Sequence, residues 1–127
     1  VEAGETVLAP GTGLGGIDGL PDGARLPVRP VHGDILRARL PAGAPRLLER
    51  TVRGLVRGRS VYLVPRADGE VVIGATERED GNDHPSVGGV HALLRDARTL
   101  VPGVVDLELR EVMARARPGS PDDLPFL

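Results

Sequence analysis

The sequence predicts an α+β fold, a mainly antiparallel sheet with one amphipathic helix. Two observations predict it. Segments with strand character outnumber the single segment with helical periodicity, and that helical segment lies between strands. With 127 residues, of which 40% are hydrophobic, the chain has the length of one domain with one core.

The N-terminal part starts with a short apolar run and a glycine-rich turn. Residues 6–9 are mostly apolar and stop at Pro-Gly-Thr-Gly-Leu-Gly-Gly, which predicts a strand whose backbone then closely approaches another group. Residues 19–24 are polar turn material and predict a crossing between domains. Residues 27–40 contain apolar positions interrupted by Pro30 and Gly33, which predicts a bent or bulged strand.

Three extended segments follow in the middle of the chain. Residues 51–56 have weak strand character, whereas residues 60–65 and 70–76 have strong strand character. The Asp68-Gly69 dipeptide between the last two segments is typical of a tight turn. The sequence therefore predicts a hairpin at this place.

An acidic loop at residues 77–83 precedes the one predicted helix. Ser86 predicts the N-cap, and Pro102-Gly103 predicts the end of the helix. Residues 104–116 then alternate as a strand, and residues 117–125 are loop material. One apolar stripe follows helical spacing: Val90, Leu93, Leu94, Ala97, Leu100 and Val101.

Composition excludes several kinds of site. There is no cysteine, so disulfides and thiolate metal sites are excluded, and the three histidines are too scattered to predict any metal site. No apolar run approaches the ~18 residues of a membrane span, which predicts no membrane partner. The first residues lack the pattern of a secretory signal, which favours a cytoplasmic location.

The basic residues, all arginines, are unevenly distributed. Seven lie in residues 37–59, where Glu49 is the only acidic residue. Such a cluster could contact phosphates, but it lacks the interleaved aromatics that stack on bases. The pattern favours a solvated basic face and no nucleic-acid partner.

Two residues stand out by position. Tyr62 lies mid-strand between apolar neighbours, where a tyrosine hydroxyl usually finds a hydrogen-bond partner. Arg117 precedes Pro-Gly, and its planar guanidinium could bind a carboxylate through two parallel hydrogen bonds. A tyrosine at the rim of the core and a surface arginine remain the alternative interpretations from spacing alone.

Five motifs occur in an order that is familiar from one family. They are Leu-Pro-Val-Arg-Pro-Val-His-Gly (26–33), Val-Tyr-Leu-Val-Pro-Arg (61–66), Val-Ile-Gly-Ala-Thr (72–76), Leu-Val-Pro (100–102) and Arg-Pro-Gly-Ser-Pro-Asp (117–122). From about residue 7 to its end the chain resembles the FAD-dependent glycine oxidases of thiamine biosynthesis, in the D-amino-acid oxidase superfamily.

The resemblance implies a division of the chain and roles for four residues. Residues 1–22 would be a remnant of an FAD-domain strand and glycine-rich turn, residues 23–116 the substrate-binding domain, and residues 117–127 a loop returning toward the FAD domain. Arg117 would bind the carboxylate of the amino acid with help from the Tyr62 hydroxyl. Gly11 and Thr12 would lie beside the flavin. The resemblance assigns no residue of this chain as catalytic.

The resemblance also implies an activity. A small amino acid such as glycine would lose a hydride to FAD, and reoxidation by oxygen would give hydrogen peroxide, in the biosynthesis of the thiamine thiazole. The glycine-rich run at residues 11–16 contains one frame that resembles a phosphate loop, but no clear βαβ unit follows it, so the strand–turn–helix that holds the dinucleotide is not predicted here. We therefore expect this fragment to be inactive and to bind no FAD stably without the FAD-binding domain of the same chain. The alternative is a non-catalytic binding or self-association domain derived from the same fold, with a second copy of the chain as the partner in a homo-oligomer.

The chain departs from the family at the segment before Arg117. The family has Trp-Ala-Gly-Leu where this chain has Met-Ala-Arg-Ala at residues 113–116. Arg115 therefore replaces a glycine beside the expected substrate pocket and changes both size and charge there.

Overall fold

The computed structural model describes residues 4–21, 23 and 26–125, which form one antiparallel five-stranded sheet with a helix on one face. The strands are arranged in the order β2-β3-β4-β1-β5. The predicted fold class is therefore confirmed. The elements are β1 (Arg29–Arg39), β2 (Val52–Val56), β3 (Arg59–Pro65), β4 (Glu70–Gly74), α1 (Val87–Leu100) and β5 (Glu108–Gly119).

The core lies between α1 and one face of the sheet. Strand side chains alternate between the two faces, and those that point toward α1 are the most deeply buried. Burial of each such side chain stabilises the fold by roughly 1.5–3 kcal/mol. The core is formed by Leu36, Val56, Val61, Leu63, Val71, Ile73, Leu93, Ala97 and Val104.

The predicted hairpin joins β3 to β4. The Arg66 amide donates to the Glu70 carbonyl at 2.7 Å, and the Gly69 amide donates to the Arg66 carbonyl at 3.1 Å. Gly69 has φ +87°, a conformation in which glycine carries no steric penalty. These hydrogen bonds confirm the predicted hairpin. The sequence could predict it because the signal is local to the turn.

The bulge lies in β5 and not in β1, where the sequence predicts a bent or bulged strand. Arg37 pairs with Glu111 and Ala38 with Leu109, which leaves Arg110 of β5 as the extra residue. Pro30 and Gly33 lie in the regular part of this pairing.

Helix α1 begins and ends as predicted. The Ser86 hydroxyl accepts a hydrogen bond from the Gly89 amide at 3.0 Å and caps the first turn. The helix ends at Leu100, two residues before Pro102. The buried stripe is narrower than predicted, because Leu94 is 37% exposed. With 14 residues, α1 is the longest helix in the described part of the chain, and no helix there has the length and apolarity of a membrane span.

Three segments differ from the sequence-based predictions. Residues 6–9 form no strand, and Val7 is 92% exposed, because no described strand lies beside them to supply hydrogen bonds. Residues 104–106 belong to a 3-10 turn, Pro102–Asp106, in which proline occupies the first helical position. The predicted turn at residues 19–24 includes residues 22 and 24, which lie outside the described residues, as do residues 1–3, 25 and 126–127.

The boundary between the last strand and the C-terminal loop also differs from the prediction. Strand β5 continues to Gly119, so Arg117 lies within the strand rather than in the loop that was expected to start there. Pairing with β1 extends this far, with Arg117 opposite Val31. Arg117 is thus held by the sheet and not by a loop.

Candidate functional site

Tyr62 and Arg117 lie on the same face of the sheet, the one turned away from α1. Tyr62 alternates with the core residues Val61 and Leu63, so its side chain points away from the helix. We call this surface the distal face and define it by Gly33, Ile35, Tyr62, Gly74, Met113, Arg115 and Arg117. Three of its strands meet in register, because Tyr62 lies opposite Gly74, and Gly74 lies opposite Ile35.

The Tyr62 ring lies flat over Gly74. A Cβ atom built on Gly74 would be 2.6 Å from Tyr62 Oη and 2.7 Å from Cζ, far inside van der Waals contact. A glycine is therefore required at this position for the tyrosine to lie across β4 toward β1. No hydrogen bond to Tyr62 Oη is formed within the described residues, so the partner expected for this hydroxyl is not found there.

The Arg117 side chain crosses β1 in the same way. Its Nη2 atom is 3.5 Å from the position of a Cβ on Gly33 and donates to the Thr76 carbonyl at 3.3 Å. A Cβ on Gly33 would also be 2.8 Å from that carbonyl. Because Gly33 has no side chain, the Arg117 guanidinium can pass over it and reach Thr76, two residues beyond the end of β4.

The two predicted substrate-binding residues thus converge on one short segment. Tyr62 Oη lies over Gly74, and the Arg117 guanidinium lies at Thr76, two residues further along. Arg117 is exposed and Tyr62 is half-buried. A phenol donor and a planar cation that reach positions two residues apart on one segment can together bind a carboxylate, which accepts several hydrogen bonds at once.

Thr76 is itself held in place by β1. The Asp34 amide donates to Thr76 Oγ1 at 2.7 Å, and the Thr76 amide donates to the Asp34 carbonyl at 3.4 Å. These bonds continue the β1–β4 pairing beyond the end of β4. The carbonyl that Arg117 contacts therefore has a fixed position.

The Asp34 carboxylate is fully buried beside the first turn of α1. It accepts hydrogen bonds from Arg78 Nη2 at 2.9 Å and from the Ser86 hydroxyl at 3.0 Å. A Cβ on Gly89 would overlap Asp34 Oδ2, so the helix begins directly on this carboxylate. The positive end of the helix dipole favours the negative charge there.

Arg78 connects this buried carboxylate to the loop before α1. Its Nη1 atom donates to both carboxylate oxygens of Asp80 at 2.8–2.9 Å, and its Nη2 atom also donates to the His84 carbonyl. The Asn82 amide and the Arg78 guanidinium hold the pKa of Asp80 below its ordinary value, and the same ion pairs raise the pKa of Arg78. Sequence reasoning missed this cluster, because Asp34 and Arg78 lie 44 positions apart.

Gly11 and Thr12, the predicted flavin contacts, form part of an exposed 3-10 turn, Gly11–Gly16, that lies against β5. Gly11 has φ +58°, which explains its residue type. A Cβ on any glycine of this turn would meet no described atom within 4 Å. The close approach that the sequence predicts is therefore not to a group in the described part of the chain.

Two of the seven arginines in residues 37–59 form ion pairs within the described residues. In the basic cluster, Arg37 pairs with Glu70 and Glu111, and Arg59 pairs with the buried Asp96. The described residues contain no group of three histidines and acids close enough to hold a metal ion. A cleft of about 450 Å³ lies beside α1 on the opposite side of the sheet, and neither Tyr62 nor Arg117 lines it.

Comparison with known proteins gives a consistent result. All 127 residues match the family model described as FAD dependent oxidoreductase. The chain is 40% identical over 105 residues to the bifunctional protein ThiO/ThiG of Synechocystis, which covers 80% of this chain, and 35% identical over 108 residues to the glycine oxidase of Pseudomonas aeruginosa, which covers 84%. The crystal structure of glycine oxidase from Geobacillus kaustophilus superimposes with a TM-score of 0.68 at 34% identity and covers 80% of the chain.

The chain is much shorter than these relatives. It spans 15% of the Synechocystis protein, 28% of the Pseudomonas glycine oxidase and 26% of the Geobacillus chain. The family model nevertheless covers every residue. The chain, with its antiparallel sheet and one main helix, therefore belongs to the FAD dependent oxidoreductase family, among relatives that include glycine oxidases.

Proposed function

We propose that this chain is the substrate-binding part of an FAD-dependent oxidase of small amino acids such as glycine. The observation that supports it most is the convergence of Tyr62 and Arg117 across two bare glycines on the distal face. The similarity to proteins named glycine oxidase supports the same substrate class.

Arg117 binds the substrate carboxylate. Its guanidinium is anchored on one side by the Thr76 carbonyl, which leaves its other N–H groups free to form two parallel bonds to a carboxylate. The Tyr62 hydroxyl adds one further donor. Fixing the carboxylate at two points orients the α-carbon, and such positioning is the main contribution of the protein in a cofactor enzyme.

The described residues are suited to cover the flavin ring on the side where the substrate binds. They form no site for the dinucleotide part of FAD. All strand pairs are antiparallel, so the βαβ unit that binds a pyrophosphate is not formed within the described part of the chain. When bound, FAD accepts the hydride from the α-carbon and passes the electrons to oxygen, which yields hydrogen peroxide. Gly11 and Thr12 supply a turn at the edge of the sheet near β5 where the cofactor would lie.

The partner of this surface is an FAD-binding domain of the same protein. Its docking on the distal face would exclude water from the Arg117–carboxylate pair and strengthen it. Without that domain we expect the 127-residue chain to bind no FAD stably and to be inactive. In the complete oxidase we propose that glycine oxidation serves the biosynthesis of the thiamine thiazole.

The test is a pair of substitutions in the intact gene product. Arg117→Ala should cost about 2–5 kcal/mol in kcat/KM for glycine, because it removes the charge partner of the carboxylate. Tyr62→Phe should cost about 1 kcal/mol, because it removes one hydroxyl hydrogen bond.

The matched control is Arg98→Ala. Arg98 is an exposed arginine in the last turn of α1, on the other side of the sheet, and its loss should leave kcat/KM unchanged. Unchanged kcat/KM in Arg117→Ala would contradict the assignment. An effect of Tyr62→Phe as large as that of Arg117→Ala would contradict the ranking of the two residues.

A further inference from the structure

A second arginine lies beside Arg117 on the distal face. Arg115 and Arg117 are two residues apart on β5, so their side chains leave the strand on the same side. Arg115 lies opposite Gly33, the same glycine that the Arg117 guanidinium crosses. Both arginines are exposed, and both lie next to the bare surface of one residue.

Neither of these arginines is neutralised. Arg115 Nη1 donates to the Ala114 carbonyl at 2.9 Å, and Arg117 Nη2 donates to the Thr76 carbonyl at 3.3 Å. These acceptors are uncharged, and within the described residues neither guanidinium forms an ion pair. On the same face, Arg37 has two carboxylate partners at 3.3 Å and 3.5 Å.

The pair therefore forms a patch of two uncompensated positive charges at the proposed carboxylate site. Alternate residues of a strand lie about 6.6 Å apart, and both side chains are long enough to approach one small ligand. A ligand with one carboxylate occupies the planar donor edge of one guanidinium. The positive charge of the other guanidinium then remains uncompensated beside it. A ligand with two carboxylates compensates both charges.

We propose that Arg115 binds a second acidic group of the substrate, so that among small amino acids this site binds those with two carboxylates more tightly than those with one. The inference rests on the proposed function, since it places the first carboxylate on Arg117. Arg115 determines specificity by contact with the substrate side chain. Arg117 and Tyr62 still orient the α-carbon.

The test compares aspartate with asparagine, which has nearly the same shape and lacks the second carboxylate. Each ligand is titrated into the 127-residue chain at matched low ionic strength, and Kd is obtained from amide and guanidinium shifts in ¹H–¹⁵N NMR spectra. We expect aspartate to bind about tenfold more tightly than asparagine, the effect of one charge-assisted contact. Arg115→Leu should abolish this preference.

A matched control removes a positive charge from the same strand. Arg110 lies on β5 and pairs with Glu108 at 2.9 Å, so Arg110→Leu should retain the aspartate preference. Equal affinity for the two ligands, a preference that survives in Arg115→Leu, or binding of neither ligand up to its solubility limit would overturn the inference. Because both substituted residues are exposed, the dispersion of the amide spectrum is expected to stay unchanged and verifies folding.

Arg117→Leu separates this inference from the proposed function. If aspartate and asparagine bind equally and both lose affinity in Arg117→Leu, the proposed function stands and the role of Arg115 is wrong. If Arg117→Leu leaves asparagine affinity unchanged, the carboxylate is not bound at Arg117, and both proposals are contradicted.

Discussion

Adding a single methyl group at Gly74 should disturb the site through Tyr62. In Gly74→Ala the new Cβ would be 2.6 Å from Tyr62 Oη, 2.7 Å from Cζ and 2.9 Å from Cε2, whereas ordinary contact begins at 3.4 Å. The ring must therefore move by about 0.8 Å, the difference between 3.4 Å and 2.6 Å. Overpacking costs about 1–3 kcal/mol, and the half-buried ring can move outward, so we expect a loss near 1 kcal/mol.

The effect on substrate binding should resemble that of Tyr62→Phe. A displacement of about 0.8 Å carries the Tyr62 hydroxyl away from the substrate carboxylate, so its one hydrogen bond is lost. We expect kcat/KM for glycine in the intact gene product to fall about fivefold, which corresponds to about 1 kcal/mol. Stability is measured separately by urea unfolding of the 127-residue chain.

A double-mutant cycle identifies Tyr62 as the cause. In a Tyr62→Ala background no aromatic ring occupies the space over Gly74, so the stability cost of Gly74→Ala should largely disappear. Gly88→Ala is the control, because a Cβ there meets no atom of the described residues within 4 Å. A cost that persists in the Tyr62→Ala background, or glycine oxidation unaffected by Gly74→Ala, would refute the reasoning.

Two further predictions concern the cluster behind the site. Asp34→Ala should destabilise the chain by about 3–5 kcal/mol in urea unfolding, because it leaves Arg78 without its buried partner, and a loss below 1 kcal/mol would contradict the role of this ion pair. Asp80 stabilises the fold only while it is ionised: because folding lowers its pKa from 3.8, its contribution is complete above that value and is lost as the pH falls through the lower folded pKa. The Tm difference between the native chain and Asp80→Asn should accordingly be constant at neutral pH and shrink below about pH 4, and a difference independent of pH would contradict it.

The features that were predictable from the sequence are those with local signals. Three features have signals that lie within a short stretch of sequence. They are the Asp68-Gly69 turn, the Ser86 cap and the apolar stripe of α1. Tyr62 and Arg117 were singled out for residue type and position, and the motif order of the family gave them a shared role. The structure adds that they lie on one face.

The features that sequence reasoning missed depend on contacts between distant segments. Residues 6–9 have the apolar character of a strand but no described neighbour with which to pair. Gly33 and Gly74 look like ordinary strand glycines, and only the register shows that side chains from β5 and β3 cross them. Asp34 meets Ser86 across 52 positions, a contact that no local pattern indicates.

Anaerobic reduction of the flavin by glycine in the intact gene product tests the central claim most directly. The account predicts that glycine bleaches the flavin absorbance of the native protein. It also predicts that Arg117→Ala requires at least about thirtyfold more glycine for the same rate, the lower limit of a 2 kcal/mol loss. Flavin reduction that is equally fast and equally sensitive to glycine in both proteins would contradict the account.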